Sequence, residues 1–220
     1  MNKKLLANTA AALILTFAGF GFSACGGSSF STTSTTPEMT EEQKKAKEGR
    51  EGLTAKKAEY TTVPAKEQLA KEPYRNKSLI FFRQNKNEWV MNDFGFGADS
   101  AGNTQTNEAN SKLKFKLAEK PDEVGTIALL PECKEVSAGS YTVGSSAIPA
   151  YKERCELILI DPELSAVVYR KIFEGELDAI KTLYNAEKSV TAKVDRMEIV
   201  NFLDTLKRKE DASPAKTDKK

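Results

Sequence analysis

Short runs of apolar residues separated by polar turns occupy the chain from residue 78 onward, and the first two predict a β-hairpin. Residues 78–84 contain four consecutive apolar residues, and residues 88–94, which include Trp89 and Val90, are the predicted partner strand. Between them lies Asn85-Lys86-Asn87, whose residue types favour a tight turn. Two such runs joined by a short turn are the sequence signal of an antiparallel hairpin.

A second hairpin and a central strand are predicted further along the chain. Residues 155–160 and 166–173 are apolar runs joined through Asp161-Pro162-Glu163, which is a typical turn sequence. Residues 124–130 form a continuous apolar run that predicts a central strand, and residues 141–143 predict a further short one.

The region between the first hairpin and the central strand is polar. Residues 95–111 contain three glycines and several asparagines, which predicts a long loop. Residues 112–117 then alternate strictly, with Leu113, Phe115 and Leu117 separated by lysines. Such alternation is typical of a half-buried antiparallel strand.

Residues 194–206 change to the period of a helix. Asp195 and Glu198 resemble a capping box at its start. Four apolar residues recur at the spacing of one helical face, namely Ile199, Phe202, Leu203 and Leu206. The predicted fold class over residues 78–206 is therefore α+β, a mostly antiparallel β-sheet domain with a C-terminal packing helix.

The segments on either side of this domain are polar. Residues 25–77 are rich in Ser, Thr, Glu, Lys and Ala, and they show no continuous apolar stripe with which a helix could pack. This composition predicts a disordered tether before the domain. Residues 207–220 hold six Lys or Arg and three acidic residues, and they predict a disordered basic tail.

The first 24 residues have the pattern of a signal peptide. Lys3 and Lys4 precede an apolar run over residues 10–22, which is shorter than the ~20 residues that a spanning helix needs. Small residues then precede Cys25, so a cut after Ala24 is expected. Phe22 is too bulky for an ordinary leader peptidase, which prefers a small residue three positions before the cut.

Ser23-Ala24-Cys25 resembles the lipobox of bacterial lipoproteins, although Phe22 stands where Leu is usual. The resemblance covers only about the first thirty residues, and it implies that Cys25 carries acyl chains that anchor the mature protein to membrane lipid. Two acyl chains hold a protein stably on a bilayer, whereas one does so only marginally. By the same resemblance, Gly26 in place of an inner-membrane retention Asp implies the outer membrane.

Charge and histidine content exclude several kinds of function. The net charge of +2 becomes zero when Lys3 and Lys4 leave with the leader, and residues 78–206 hold 15 basic and 20 acidic residues. A domain with a net charge of −5 lacks the basic face that nucleic-acid binding requires. The chain has no histidine, which excludes His-dependent triads and imidazole metal sites.

Cys133 and Cys155 are the two cysteines that remain beside Cys25. In an exported chain, an even remainder predicts one structural disulfide. Such a bond would contribute roughly 3 kcal/mol by closing a loop of this length. Free thiols and a redox pair are the alternatives, but redox cysteines are usually only two residues apart.

Other motifs lack the context that their chemistry requires. Ser111 and Lys114 fit Ser-x-x-Lys in spacing, yet they lie on the predicted strand and not at a helix start. The glycines at 95–97 and 139–144 lack phosphate-loop spacing, and the Asp and Asn residues at 99–107 lack EF-hand spacing. No cofactor or metal site is therefore predicted.

Carboxylates and aromatic residues are the remaining candidates for chemistry. Without histidine, only paired carboxylates are left for general acid–base work. Aromatic residues on strands usually serve the core but can also stack on a sugar. The candidates are Asp161, Glu163, Glu132, Glu153 and Glu156 among the carboxylates, and Trp89, Tyr141 and Tyr151 among the aromatics.

The sequence predicts a cell-envelope lipoprotein that presents a non-catalytic binding or structural module on a membrane surface. Its partners would be membrane lipid through Cys25 and an envelope protein or glycan, with no nucleic acid. One alternative is a carboxylate-dependent envelope hydrolase acting on a glycan or an ester, which requires two carboxylates facing each other across a cleft. Another alternative is a subunit of an envelope assembly, which requires a large exposed apolar patch.

Overall fold

A mostly antiparallel sheet of seven strands, with helices on both faces, forms the body of the computed structural model, which describes residues 39–97, 100–143, 145–177 and 188–210. The helices are α1 (Glu41–Ala55), α2 (Lys57–Tyr60), α3 (Ser100–Leu113) and α4 (Arg196–Thr205). The strands are β1 (Tyr74–Arg75), β2 (Ser78–Asn85), β3 (Glu88–Met91), β4 (Val124–Leu130), β5 (Lys134–Val143), β6 (Ser146–Asp161), β7 (Ala166–Glu174), β8 (Val190–Ala192) and β9 (Lys207–Arg208).

The long strand β6 organises the sheet. Its second half pairs with β4 on one side and β7 on the other, both antiparallel. Its first half pairs with β5 as an antiparallel ribbon and with the short β8 in parallel. Beyond β4, the sheet continues to β2, which is parallel to β4, and ends at β3. The predicted α+β fold class with a mostly antiparallel sheet is confirmed.

Successive residues of the strands point to opposite faces, so the sheet has an apolar layer on each side. Leu79 and Phe81 of β2 belong to one buried cluster, which α3 and α4 cover with Leu113, Ile199 and other side chains. Ile80 and Phe82 belong to a second cluster on the opposite face, where Leu53 of α1 and Tyr60 complete the packing. Both faces are therefore covered by helices.

The predicted helix at 194–206 is confirmed as α4. The Asp195 side chain caps its N-terminus by accepting a hydrogen bond from the Met197 amide at 2.9 Å. A cap of this kind stabilises a helix start because it satisfies an amide that has no partner within the helix. The buried residues of α4 face the sheet, and they are Met197, Ile199, Val200, Phe202 and Leu203.

Both predicted hairpins and the central strand are also confirmed. Strands β2 and β3 pair around the Lys86-Asn87 turn, and both turn residues have positive φ. Strands β6 and β7 pair around the Asp161 turn, and β4 lies inside the sheet between β2 and β6. The short strand predicted at 141–143 is the end of the longer β5.

The prediction of a loop over 95–111 and a strand over 112–117 is wrong. Residues 100–113 form α3, which buries Ala109 and Leu113 against α4 and the sheet. The alternating pattern arises where the helix ends in a turn, with Leu113 buried and Phe115 87% exposed. Tertiary packing, and not local propensity, selects the helix here.

The prediction of a disordered tether over 25–77 is wrong from Met39 onward. Thr40 and Gln43 form a capping box at the start of α1, with reciprocal side-chain to backbone hydrogen bonds of 3.2 and 3.0 Å. The helix packs because Gly49 and Gly52 allow it to approach the segment at 119–121 closely. Residues 25–38 of the predicted tether lie outside the described residues.

The predicted boundary between domain and tail at residue 207 also changes. Strand β9 pairs in parallel with β1, joining Lys207–Arg208 to Tyr74–Arg75. Residues 207–210 therefore belong to the folded body, while 211–220 lie outside the described residues. Among the residues that the structure describes, no helix combines the length and hydrophobicity needed to cross a membrane.

Candidate functional site

The two predicted disulfide cysteines lie opposite each other on neighbouring segments of the sheet. Cys133 directly precedes β5, and Cys155 lies in β6, one step along from the paired residues Lys134 and Arg154. The two sulfurs are bonded to each other, and the Cα atoms are 4.4 Å apart. Cys155 is fully buried in the core, whereas Cys133 is only partly buried.

A partly buried ion pair between Arg196 and Glu153 lies beside this disulfide. Arg196, the first residue of α4, places Nη1 at 3.2 Å from the Cys133 sulfur and 2.9 Å from the Cys155 sulfur. Its Nη2 donates to Glu153 Oε1 at 3.0 Å, and Glu153 Oε2 accepts from the Val194 amide at 2.9 Å. The cluster thus joins β6 to the start of α4.

This cluster is not arranged as a metal centre. The ligand atoms of Cys133, Glu153 and Cys155 lie within 4.8 Å of one another, which is close enough to hold an ion. However, the thiolate form of cysteine is the metal ligand, and here the sulfurs are bonded to each other. The Arg196 guanidinium contacts both sulfurs and the carboxylate, where a metal would need to bind.

A second polar cluster surrounds Asp161 at the β6–β7 turn. The Asp161 side chain is 1% exposed, and Oδ2 accepts hydrogen bonds from Tyr74 at 3.2 Å and Lys209 at 3.1 Å. Its Oδ1 accepts from the turn amides of Glu163 and Leu164. The bond to Asp161 raises the pKa of Lys209, and burial followed by the nearby Asp161 charge raises the pKa of Tyr74.

A charged cavity of about 360 Å³ lies beside this second cluster. Its lining balances three acidic against three basic side chains, together with two polar residues. These residues are Asn76, Lys77, Ser78, Asp122, Glu123, Arg208, Lys209 and Glu210. Sequence reasoning missed this cavity because its walls come from three distant segments, and no motif connects them.

Four of the five carboxylates that the sequence offered for acid–base work have structural partners. Asp161 and Glu153 are bound as described above, and Glu156 pairs with Arg170 at 3.0 Å. Lys77 and Asn76 bind Glu163 and lower its pKa, which is opposite to the shift that a general acid needs. Glu132 is exposed next to the disulfide.

The three candidate stacking aromatics are not gathered into one site. Trp89 packs against the sheet face that α1 covers. Tyr141 donates its hydroxyl hydrogen to the Leu177 carbonyl at 3.1 Å. Tyr151 is half-buried on β6, opposite Ser137.

An open groove of about 430 Å³ lies between β7 and α4. Lys171 extends over the rings of Phe173 and Phe202, at 4.9 and 4.2 Å from the ring centroids. Stacking of a cation on aromatic rings is favourable by about 0.5–1 kcal/mol at an exposed site. The lysine therefore covers the apolar floor of the groove.

Comparison with known proteins does not assign the chain to a family. No protein-family model matches it, and neither does any curated protein. A crystal structure of a DUF330-family protein from Xanthomonas campestris matches at 13% identity, covering 52% of this chain and 75% of that one, with a TM-score of 0.22. A similarity this weak supports no assignment of fold or function. The predicted lipid anchor, Cys25, lies outside the described residues.

Proposed function

We propose that this chain is a cell-envelope lipoprotein, anchored to membrane lipid through acylated Cys25, that presents a non-catalytic binding or structural module at the membrane surface. The observation that carries the proposal is the leader, in which an apolar run too short to span a bilayer ends at Ser23-Ala24-Cys25. Gly26 after the cysteine favours the outer membrane.

The start of the folded body limits how far the module stands from the bilayer. Thr40 caps the first helix, α1, and lies 15 positions after Cys25. An extended chain spans at most ~3.3–3.6 Å per residue, so this connection reaches no further than about 54 Å. The folded module is thus held near the lipid surface, and its partner belongs to the same zone of the envelope.

The partners of the candidate carboxylates support a binding or structural role over hydrolysis. A glycosidase uses two carboxyl groups that face a substrate cleft, one of them held protonated. Here Asp161 binds Lys209 and Tyr74, and Glu153 binds Arg196. These contacts hold elements of the fold together, since they join β1, the residue after β9 and the start of α4 to β6.

Metabolic labelling with an alkyne fatty acid tests the anchor. Wild-type protein should take up label, and the Cys25→Ala variant should take up none. A Cys133→Ala/Cys155→Ala double variant is the matched control, because it removes the other two sulfurs and should keep the label. Equal labelling of wild type and Cys25→Ala would contradict the proposal.

A further inference from the structure

A cation, the Arg196 guanidinium, contacts both sulfurs of the Cys133–Cys155 disulfide. Arg196 Nη1 lies 2.9 Å from the Cys155 sulfur and 3.2 Å from the Cys133 sulfur. We propose that this bond is a thiol-exchange site, opened in the folded protein by an external dithiol reductant, with Arg196 as the positioning residue for the departing sulfur. This inference does not depend on the lipid anchor.

Exposure determines which sulfur is attacked. Cys133 is partly buried and lies just before β5, so it is the more accessible of the two cysteines to an external thiolate. Cys155 is 0% exposed and lies inside the sheet. Attack therefore takes place at Cys133, and Cys155 is the leaving group.

The exchange takes place in two successive thiol–disulfide reactions. One thiolate of the reductant attacks the Cys133 sulfur, forming a mixed disulfide while the Cys133–Cys155 bond breaks and its electron pair leaves on Cys155. The second thiol of the reductant loses its proton and displaces Cys133. The reductant becomes a disulfide, and the two protein sulfurs end as thiols after taking up the two protons that the reductant lost.

Arg196 and Glu153 have opposite effects on how readily the Cys155 sulfur leaves. A neighbouring cation favours the thiolate form of cysteine, and a thiol with a lower pKa is a better leaving group. Arg196 therefore accelerates the departure of Cys155. Glu153 Oε1 accepts a hydrogen bond from Arg196 Nη2 at 3.0 Å and offsets part of this positive charge, so Glu153 slows the departure.

Reduction of the disulfide would change the contacts that hold the N-terminus of α4. Arg196 is the first residue of this helix, and Glu153 holds the Val194 amide that precedes its cap. A Cys155 thiolate would compete with Glu153 for the guanidinium. Reduction is thus coupled to the contacts that fix α4 on β6.

Reduction kinetics with dithiothreitol under native conditions test the proposal. The reaction is quenched with a maleimide at intervals, and the alkylated protein is counted by intact mass. The wild-type rate should increase in proportion to dithiothreitol concentration. Arg196→Gln should slow reduction about tenfold, Glu153→Gln should accelerate it several-fold, and Arg196→Lys should restore part of the rate.

The two glutamine variants are expected to change the reduction rate in opposite directions, and this distinguishes a role in thiol exchange from a purely structural role. If Arg196 and Glu153 only hold the fold together, both glutamine variants loosen the site and both accelerate reduction. That result would overturn the proposal. So would any other result in which reduction is not slower for Arg196→Gln and faster for Glu153→Gln than for wild type. A wild-type rate that does not depend on dithiothreitol would also overturn it, because reduction would then follow unfolding. In concentrated urea all variants should react at one rate.

Discussion

Helix α1 closely contacts the segment at 119–121, and this contact determines whether Gly49→Ala stabilises or destabilises the protein. Gly49 lies in the middle of α1, and a Cβ atom added there would meet the backbone oxygen of Glu119 at 2.4 Å. In a helix that did not pack, Gly49→Ala would stabilise the protein by ~1 kcal/mol through its higher helix propensity. In the observed fold the same change should destabilise it.

The magnitude follows from the size of the overlap. Carbon atoms make their best non-bonded contacts at about 3.5–4.0 Å, so the new methyl group intrudes by about 1 Å. Overpacking of this kind costs typically 1–3 kcal/mol, and we expect the upper half of that range because the obstacle is backbone. After subtraction of the ~1 kcal/mol gained from helix propensity, the expected net loss is about 1–2 kcal/mol.

Urea unfolding, followed by circular dichroism, measures this loss. With a slope of ~2 kcal/mol/M, the midpoint for Gly49→Ala should fall by about 0.5–1 M. Glu48→Ala, on the exposed side of the same helix, is the matched control and should change the free energy of unfolding by less than about 0.5 kcal/mol. An unchanged or higher midpoint for Gly49→Ala would refute the packing of α1 on this segment.

Three further predictions concern other parts of the fold. Leu53→Ala should lower the free energy of unfolding by about 2–5 kcal/mol because it leaves a cavity under α1, whereas Leu69→Ala, at a 60% exposed position, should be nearly neutral in the same urea assay. Asp195→Ala should cost about 0.5–2 kcal/mol by removing the α4 cap, and no loss would argue against that cap. Because the pKa of Lys209 is raised, its contribution is present below its ordinary value near 10.5 and is lost as pH rises through the folded-state value. Between pH 9 and pH 11 the unfolding midpoint should therefore fall more for wild type than for Asp161→Asn. Tyr74, whose pKa burial and the Asp161 charge raise, adds to this fall, and equal falls would contradict the cluster around Asp161.

The sequence predicted the elements that have their own apolar pattern. Strands β2, β4 and β7 and helix α4 each contain a run or stripe of apolar side chains, and all four were recognised. The turn residues between β2 and β3 and between β6 and β7 were sufficient to predict their pairing. In these places local pattern and tertiary packing agree.

The elements that the sequence analysis missed depend on contacts between distant segments. Helix α1 has one buried residue, Leu53, so it shows no apolar stripe in the sequence, and it packs through Gly49 and Gly52 against residues 119–121. Helix α3 buries only two apolar side chains, so its polar sequence indicated a loop. The disulfide was predicted from cysteine number, but no local pattern brings Arg196, 41 positions after Cys155, to its sulfur.

The lipid anchor is tested most directly by the mass of the processed N-terminal peptide from purified membranes. We predict that this peptide begins at Cys25 and carries the added mass of a diacylglycerol, with or without a further acyl chain. An unmodified peptide beginning at Cys25, or one that still contains the leader, would contradict the anchor and with it the proposed function.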